Sequence, residues 1–342
     1  MCGVRARYFA VFPAWVSVSH LASGMQLIVD MSSQRCVLAI GSINLDLQVK
    51  ADGWPEQSET LLGREFLCAG GGKAANVAAF AAKLGIPAQL IGRVGDDSFA
   101  ELALSSLRSL HVDLAGVRPV RGATGVSMIV VRDDGDKTIL LAPNANEQWE
   151  DDAERAVRAS IERCAPGSCV SVDLEVPERI VLAALQAARA RGLQTVLDPS
   201  PADRASEEML ALCTYLVPNP RETERLTGVK VRSEADAKKA GKRLLERKVP
   251  NVCVKLPDGG AALVTEESYE VAKPPKVKVV DKTGAGDAFA AGLCVALYEE
   301  LQPKAALRMA VAAASFAVTR YGSQAAYPTR AELDKLLAEA PA

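Results

Sequence analysis

The chain has 342 residues, 49% of them hydrophobic and 24% charged, with a formal charge of −2. That is a globular mix with material for a large core, and it supplies no basic field to hold nucleic acid or an anionic membrane. Two histidines, His20 and His111, leave little for a histidine relay or zinc site, and eight cysteines without a C-x-x-C pair, mostly among apolar neighbours as in Val252-Cys253-Val254, read as free thiols in a reducing cytoplasm.

Residues 1–35 read as an unstructured N-terminal extension. Its apolar, aromatic stretch from Tyr8 to Val18 is too short to span a bilayer. From Cys36 the pattern becomes regular. Cys36 to Ile40 is an apolar strand stopped by Gly41, and Leu45 to Val49 alternates as a half-exposed strand does. Gly53-Trp54-Pro55 marks a turn, and Thr60 to Cys68 predicts a further strand. Asn76 to Leu84 is an Ala-rich helix closed by Gly85-Ile86-Pro87. A strand over Ala88 to Val94 and a helix over Ser98 to Leu110 follow. Gly125 to Arg132 and Lys137 to Leu141 flank Asp133-Asp134-Gly135-Asp136, a hairpin signal.

Helix and strand then alternate. Helices are predicted over 151–164, 177–191, 221–226 and 234–247, and strands over 168–173, 194–198, 215–218 and 252–256. Ala261 to Thr265 opens a further pair of strands. Lys276 to Val280 alternates like a strand, and helices follow over 287–300, 303–319 and 329–338. This order implies a doubly wound α/β fold with a mainly parallel sheet covered on both faces. The pieces at about 45–68 and 118–142 break the alternation and predict a small separate β-sheet within one domain, 36–342.

Five segments carry chemistry. In Asp281-Lys282-Thr283-Gly284-Ala285-Gly286-Asp287, small residues open a helix whose first N–H groups point outward, which suits an anion. A carboxylate beside bound phosphate repels it, but suits taking a proton from an attacking alcohol, so Asp287 is the candidate base. A plain helix start with Asp near the dipole explains the same residues structurally. Gly70-Gly71-Gly72-Lys73-Ala74-Ala75-Asn76 opens another helix; it is no P-loop, and suits a polyhydroxylated ligand or a flexible turn. Asn44 and Asp46 lie just past the first strand, where open parallel sheets bind ligands; an Asx turn is the alternative. Asn219 and Glu222 have the spacing of a capping box and also suit phosphate oxygens and Mg²⁺. Glu175 ends a strand as a single carboxylate.

Taken together, these segments resemble the ribokinase (PfkB) family of carbohydrate and nucleoside kinases. The likeness covers nearly all of residues 36–335. Gly71 to Gly95, with Asn76 and Gly85, resembles the first family signature, and Asp281 to Leu293 the second. The resemblance implies a ribokinase-like fold with a β lid that forms a homodimer, and transfer of the ATP γ-phosphoryl group to a pentose, D-ribose first. It implies Asn44, Asp46, Gly71, Gly72, Lys73, Asn76 and Glu175 around the sugar, Asp287 as base, and Gly284, Ala285 and Gly286 as the anion hole. Asn219, Lys255, Leu256, Asp258 and Gly260 would meet the nucleotide, and Glu222 would support Mg²⁺ through water. Asp281, Thr283, Arg320 and Gly322 would surround K⁺, partly through backbone carbonyls. Lys282 departs from the second signature at a position usually small or β-branched, and Pro257 removes an N–H from the nucleotide loop. A sibling sugar or nucleoside kinase and an inactive sugar-binding regulator are the alternative readings.

Overall fold

The computed structural model describes residues 34–340 apart from positions 55 and 59. Of the extension expected over 1–35, only Gln34 and Arg35 fall within the described residues. The first half comprises β1 (Val37–Ile40), β2 (Asn44–Lys50), β3 (Glu65–Gly71), α1 (Lys73–Lys83), β4 (Ala88–Gly95), α2 (Ser98–Ser109), β5 (Asp113–Val120), β6 (Gly125–Val131) and β7 (Lys137–Ala142). Then come α3 (Ala153–Glu162), β8 (Cys169–Asp173), α4 (Glu178–Ala190), β9 (Gln194–Asp198), α5 (Glu207–Leu212), β10 (Tyr215–Leu216) and α6 (Pro220–Thr227). The chain closes with α7 (Glu234–Glu246), β11 (Asn251–Lys255), β12 (Ala261–Val264), β13 (Tyr269–Ala272), α8 (Ala285–Tyr298), α9 (Pro303–Ala317) and α10 (Arg330–Glu339).

The main sheet runs β13-β12-β11-β10-β9-β8-β1-β4-β5. Every pair from β11 to β5 is parallel, and the β11–β12 and β12–β13 pairs are antiparallel. Side chains on a strand alternate between faces, and β1 shows the consequence. Val37 and Ala39 enter a core shared with α1, α8 and α9, while Leu38 and Ile40 enter one shared with α3, α4 and α7. Burial on both faces is why the central strands read as continuous apolar runs.

A second, smaller sheet has the order β3-β2-β6-β7. On its inner face Asp46, Gln48, Ser127, Ile129 and Val131 are buried. On its outer face Phe66, Met128 and Leu140 are exposed.

Four sequence expectations need correction. Lys276 to Val280 forms no strand. Two prolines precede it, and its backbone is tied to loops instead, with Val280 N–H donating to Val318 O at 2.8 Å. Residues 118–120 belong to β5, which pairs with β4 at the edge of the main sheet, so the small sheet resumes only at Gly125. Gly116 and Pro119 lie within β5, and half-exposure hides its pattern, as suits an edge strand. β3 starts at Glu65, later than the Thr60 expected. Helices α1 and α8 begin before Asn76 and Asp287, because their small N-terminal residues are helical rather than loop. Among the described residues no helix is long and apolar enough to cross a membrane.

Candidate active site

In an open parallel sheet the crevice lies beyond the carboxyl ends of the strands, where neighbouring connections diverge. Strand β1 sits at such a point, between β8 and β4. A cleft of about 1070 Å³ opens there, floored by the ends of β8, β9 and β11 and the starts of α1, α6 and α8. The inner face of the small sheet roofs it through Ser127, Ile129, Lys137, Ile139 and Leu141.

At one end of the cleft, polar groups converge. Asn44 and Asp46 share one face of β2, two residues apart. Asn146 holds the Asn44 amide, Nδ2 donating to Asn44 Oδ1 at 2.7 Å, and Asn44 Nδ2 faces Glu175 Oε2 at 3.5 Å. Burial pushes the Asp46 carboxyl up to about 7, with a Ser127 hydrogen bond opposing and Asp287 repulsion adding to the rise. Burial also raises Glu175, against the pull of Lys73. Behind them Asp173 accepts from Ser42 N–H at 3.0 Å and Glu175 N–H at 2.9 Å, and burial followed by repulsion from Glu175 pushes it up to about 8. Asp46 and Glu175 line the cleft, where their carboxylates can accept from sugar hydroxyls.

Gly72 caps α1 at φ 94°, and a Cβ there would lie 2.5 Å from Ser42 O, so only glycine brings the helix start this close to β1. The first turn of α1 thereby aims Lys73 and Asn76 into the cleft. Asn76 Nδ2 donates to Asp287 Oδ2 at 2.7 Å, and Gln324 Nε2 donates to Asn76 Oδ1 at 3.1 Å, which orients the amide. Lys73 Nζ lies 3.5 Å from Asp287 Oδ1 and 3.7 Å from Asp198 Oδ2. Burial opposes its charge, but Asp198 and Asp287 outweigh it and hold its pKa well above the ordinary lysine value.

Gly284 precedes helix α8 and caps it at φ 73° with no side-chain hydrogen bond. Among the described residues the N–H groups of Gly286 and Asp287 have no acceptor and line the cleft beside the Asp287 carboxylate, an arrangement that suits an anion. Toward the other end, Lys255 Nζ lies 4.0 Å from Asp198 Oδ2. Asn219 and Glu222 form a full capping box at α6, so the structural explanation of this pair holds while both residues also line the cleft. Burial, then Asp198, raises the Glu222 carboxyl. Asp198 Oδ1 is buried without a partner, a donor set that suits a hydrated divalent cation. Leu256 and Asp258 line the cleft on a turn that Gly260 closes from behind, its N–H donating to Asp258 Oδ1 at 2.9 Å.

The expected cation loop is only partly assembled. Asp281 is fully buried, accepting from Thr283 N–H at 2.8 Å, Gly322 N–H at 2.9 Å and Gln48 Nε2 at 2.6 Å. Thr283 Oγ1 beside it has no partner among the described residues. The Arg320 side chain does not join them; it turns outward to Glu332 at 2.6 Å, leaving only its backbone for that loop. Lys282 also turns away, pairing with Asp136 at 2.6 Å.

Asp198, Lys137, Ser127, Asn146 and Gln324 also line or brace the site, and sequence reasoning passed over them. Asp198 carried a signal, since it ends a predicted strand just as Asp173 does. Ser127 and Lys137 come from strands whose alternation says which residues share a face, not what that face covers, and Asn146 and Gln324 sit in short helical turns with no such pattern.

The profile of the "pfkB family carbohydrate kinase" matches residues 34–330. A ribokinase of Haemophilus influenzae is 33% identical over 308 residues, covering 90% of this chain and all of that protein. A deoxyribokinase of Salmonella typhi is 32% identical over 306 residues, covering 88% of this chain and 98% of that one. The structure of Arabidopsis thaliana ribokinase complexed with ribose and ATP superposes with a TM-score of 0.78 at 31% identity, over 89% of this chain and 99% of that chain.

Proposed function

The chain belongs to the pfkB family of carbohydrate kinases and is an ATP-using phosphotransferase acting on a sugar alcohol group, and from that premise we propose that its acceptor is the 5-hydroxyl of D-ribose. The observation that carries the reading is that Asn44, Asp46, Asn76 and Glu175 line the same cleft as Asp287 and the open N-terminus of α8, with Asn76 bonded to Asp287. A site built to hydrogen-bond every hydroxyl discriminates against a sugar lacking one, because its buried acceptors are left unpaired. That favours ribose over the substrate named for the Salmonella relative.

Asp287 takes the proton from the hydroxyl as it attacks the terminal phosphoryl group. The amide of Asn76 holds one carboxylate oxygen and Lys73 faces the other, so the base is fixed in orientation. The Gly284–Gly286 turn stabilises negative charge growing on the phosphoryl oxygens. Asn219 and the turn from Leu256 to Gly260 receive the nucleotide, with Lys255 beside its phosphates. Mg²⁺, when bound through water to Glu222 and Asp198, would supply charge neutralisation between the phosphates. K⁺ would sit by Thr283 and backbone carbonyls near Arg320 and Gly322, with Asp281 providing the countercharge.

The small sheet acts as a lid that keeps water from the phosphoryl group. Its exposed apolar outer face, with Phe66, Met128 and Leu140, supports a homodimer. The seven described cysteines are all free thiols, which supports a reducing, cytoplasmic setting.

The test is ADP release across ribose, 2-deoxyribose, fructose, adenosine and pseudouridine, with and without K⁺. Ribose turning over with the highest kcat/KM supports the assignment. Faster turnover of deoxyribose or another acceptor replaces the substrate, and a rate indifferent to K⁺ removes the cation.

A further inference from the structure

Lys137 opens β7 opposite Val131 and reaches into the roof of the cleft, on the same face as Ile139 and Leu141. Among the described residues it makes no hydrogen bond and no ion pair. The charges that act on it most strongly are Asp287, then Asp281, with Lys73 opposing and Asp46 following. Burial holds its pKa below the ordinary lysine value. Lys137 is half-buried on the cleft wall, and an ammonium placed there without a protein partner is explained by a group that it meets only when substrates are present.

Its backbone is also held in register with the catalytic loop. Lys282 Nζ pairs with Asp136 at 2.6 Å, and Lys282 N–H donates to Gly135 O at 3.2 Å. The residue next to Lys137 is thus tied to the segment that ends in Asp287. The other cations of the cleft come from different elements. Lys73 approaches Asp287 from α1. Lys255 Nζ lies 3.7 Å from where a Cβ on Gly286 would be. The roof side is covered by Lys137.

A phosphoryl group in transfer spreads negative charge over three equatorial oxygens. The α8 N-terminus and Lys255 face it from the floor. We propose that Lys137 is a further catalytic residue, a lid-borne cation that donates to the transferring phosphoryl group when the small sheet is closed over the cleft. This rests on the kinase reading above, but not on the identity of the sugar.

The test compares wild type, Lys137→Met and Lys137→Arg on whichever sugar the wild type phosphorylates fastest. A second readout is binding of MgADP with aluminium fluoride and that sugar, a mimic of the transferring group, which requires no turnover. Lys137→Met is expected to lower kcat about 100-fold, the usual effect of losing one such donor, with both KM values changed less than about threefold. It should weaken binding of the aluminium fluoride complex by a similar factor and leave MgADP alone unaffected. Lys137→Arg should recover at least about a tenth of the rate, since it keeps the charge. Unchanged kcat in Lys137→Met overturns the proposal. A rise in sugar KM alone also overturns it, by assigning Lys137 to the acceptor. A wild type inert on ribose but active on another sugar changes the substrate assignment and leaves this comparison intact.

Discussion

Asp46, proposed above to hold the sugar, should couple its recognition to stability. It is 6% exposed, and Ser323 Oγ faces its Oδ2 at 3.5 Å. Burial is the main reason its carboxyl rises from 3.8 to about 7. Between those values the folded protein binds more protons than the unfolded chain, so this residue's contribution to the unfolding free energy falls as pH rises through the window. At about 1.36 kcal/mol per pH unit, the full cost to the ligand-free fold above pH 7 is about 4 kcal/mol. Asp46→Asn removes the charge and keeps the shape. It should recover about half, raising the unfolding free energy near pH 8 by about 2 kcal/mol, with little effect near pH 4. The same change should weaken sugar binding about 100-fold, because charge-assisted hydrogen bonds are lost. Urea unfolding of ligand-free protein at both pH values, with sugar binding by calorimetry, reads both effects. Equal pH dependence in the two proteins, or a less stable variant near pH 8, would refute the reasoning.

Asp287→Asn should lower kcat about 1000-fold while circular dichroism and sugar binding stay close to wild type; a variant with near-normal turnover would remove the base assignment. Gly284→Ala puts a Cβ 2.9 Å from both the Ser323 Cβ and the Tyr327 hydroxyl in a left-handed conformation. It should cost about 1–3 kcal/mol in chemical unfolding and raise the KM for ATP. The Lys282–Asp136 pair is about half exposed on both sides, so Lys282→Ala should change stability by less than about 1 kcal/mol. Its effect should appear instead as a lower kcat, through looser seating of the β6–β7 hairpin on the catalytic loop; a pure stability loss with unchanged kcat counts against that.

Much of this protein is legible along the chain. The largely apolar runs of β1, β4, β8, β9 and β11, alternating with helical patterns, imply a parallel sheet because a strand buried on both faces is mostly apolar. Glycines at 72 and 284 mark helix starts because only glycine adopts those backbones so close to neighbouring chain. Asp287, Asn76 and Lys73 stand out because carboxylate, amide and ammonium groups beside such turns are expensive without a ligand. Local pattern fails where the partner is distant. Lys276 to Val280 alternates like a strand yet has no ladder, since alternation describes a half-buried segment and not its hydrogen bonds. Strand β5 hides because an edge needs no apolar run. The inward turn of Asp198 and Lys137, the outward turn of Arg320, and the bracing of Asn44 by Asn146 depend on contacts between segments far apart in sequence. Which charge meets which is decided by packing two sheets around one cleft, and no run of neighbouring residues encodes that distance.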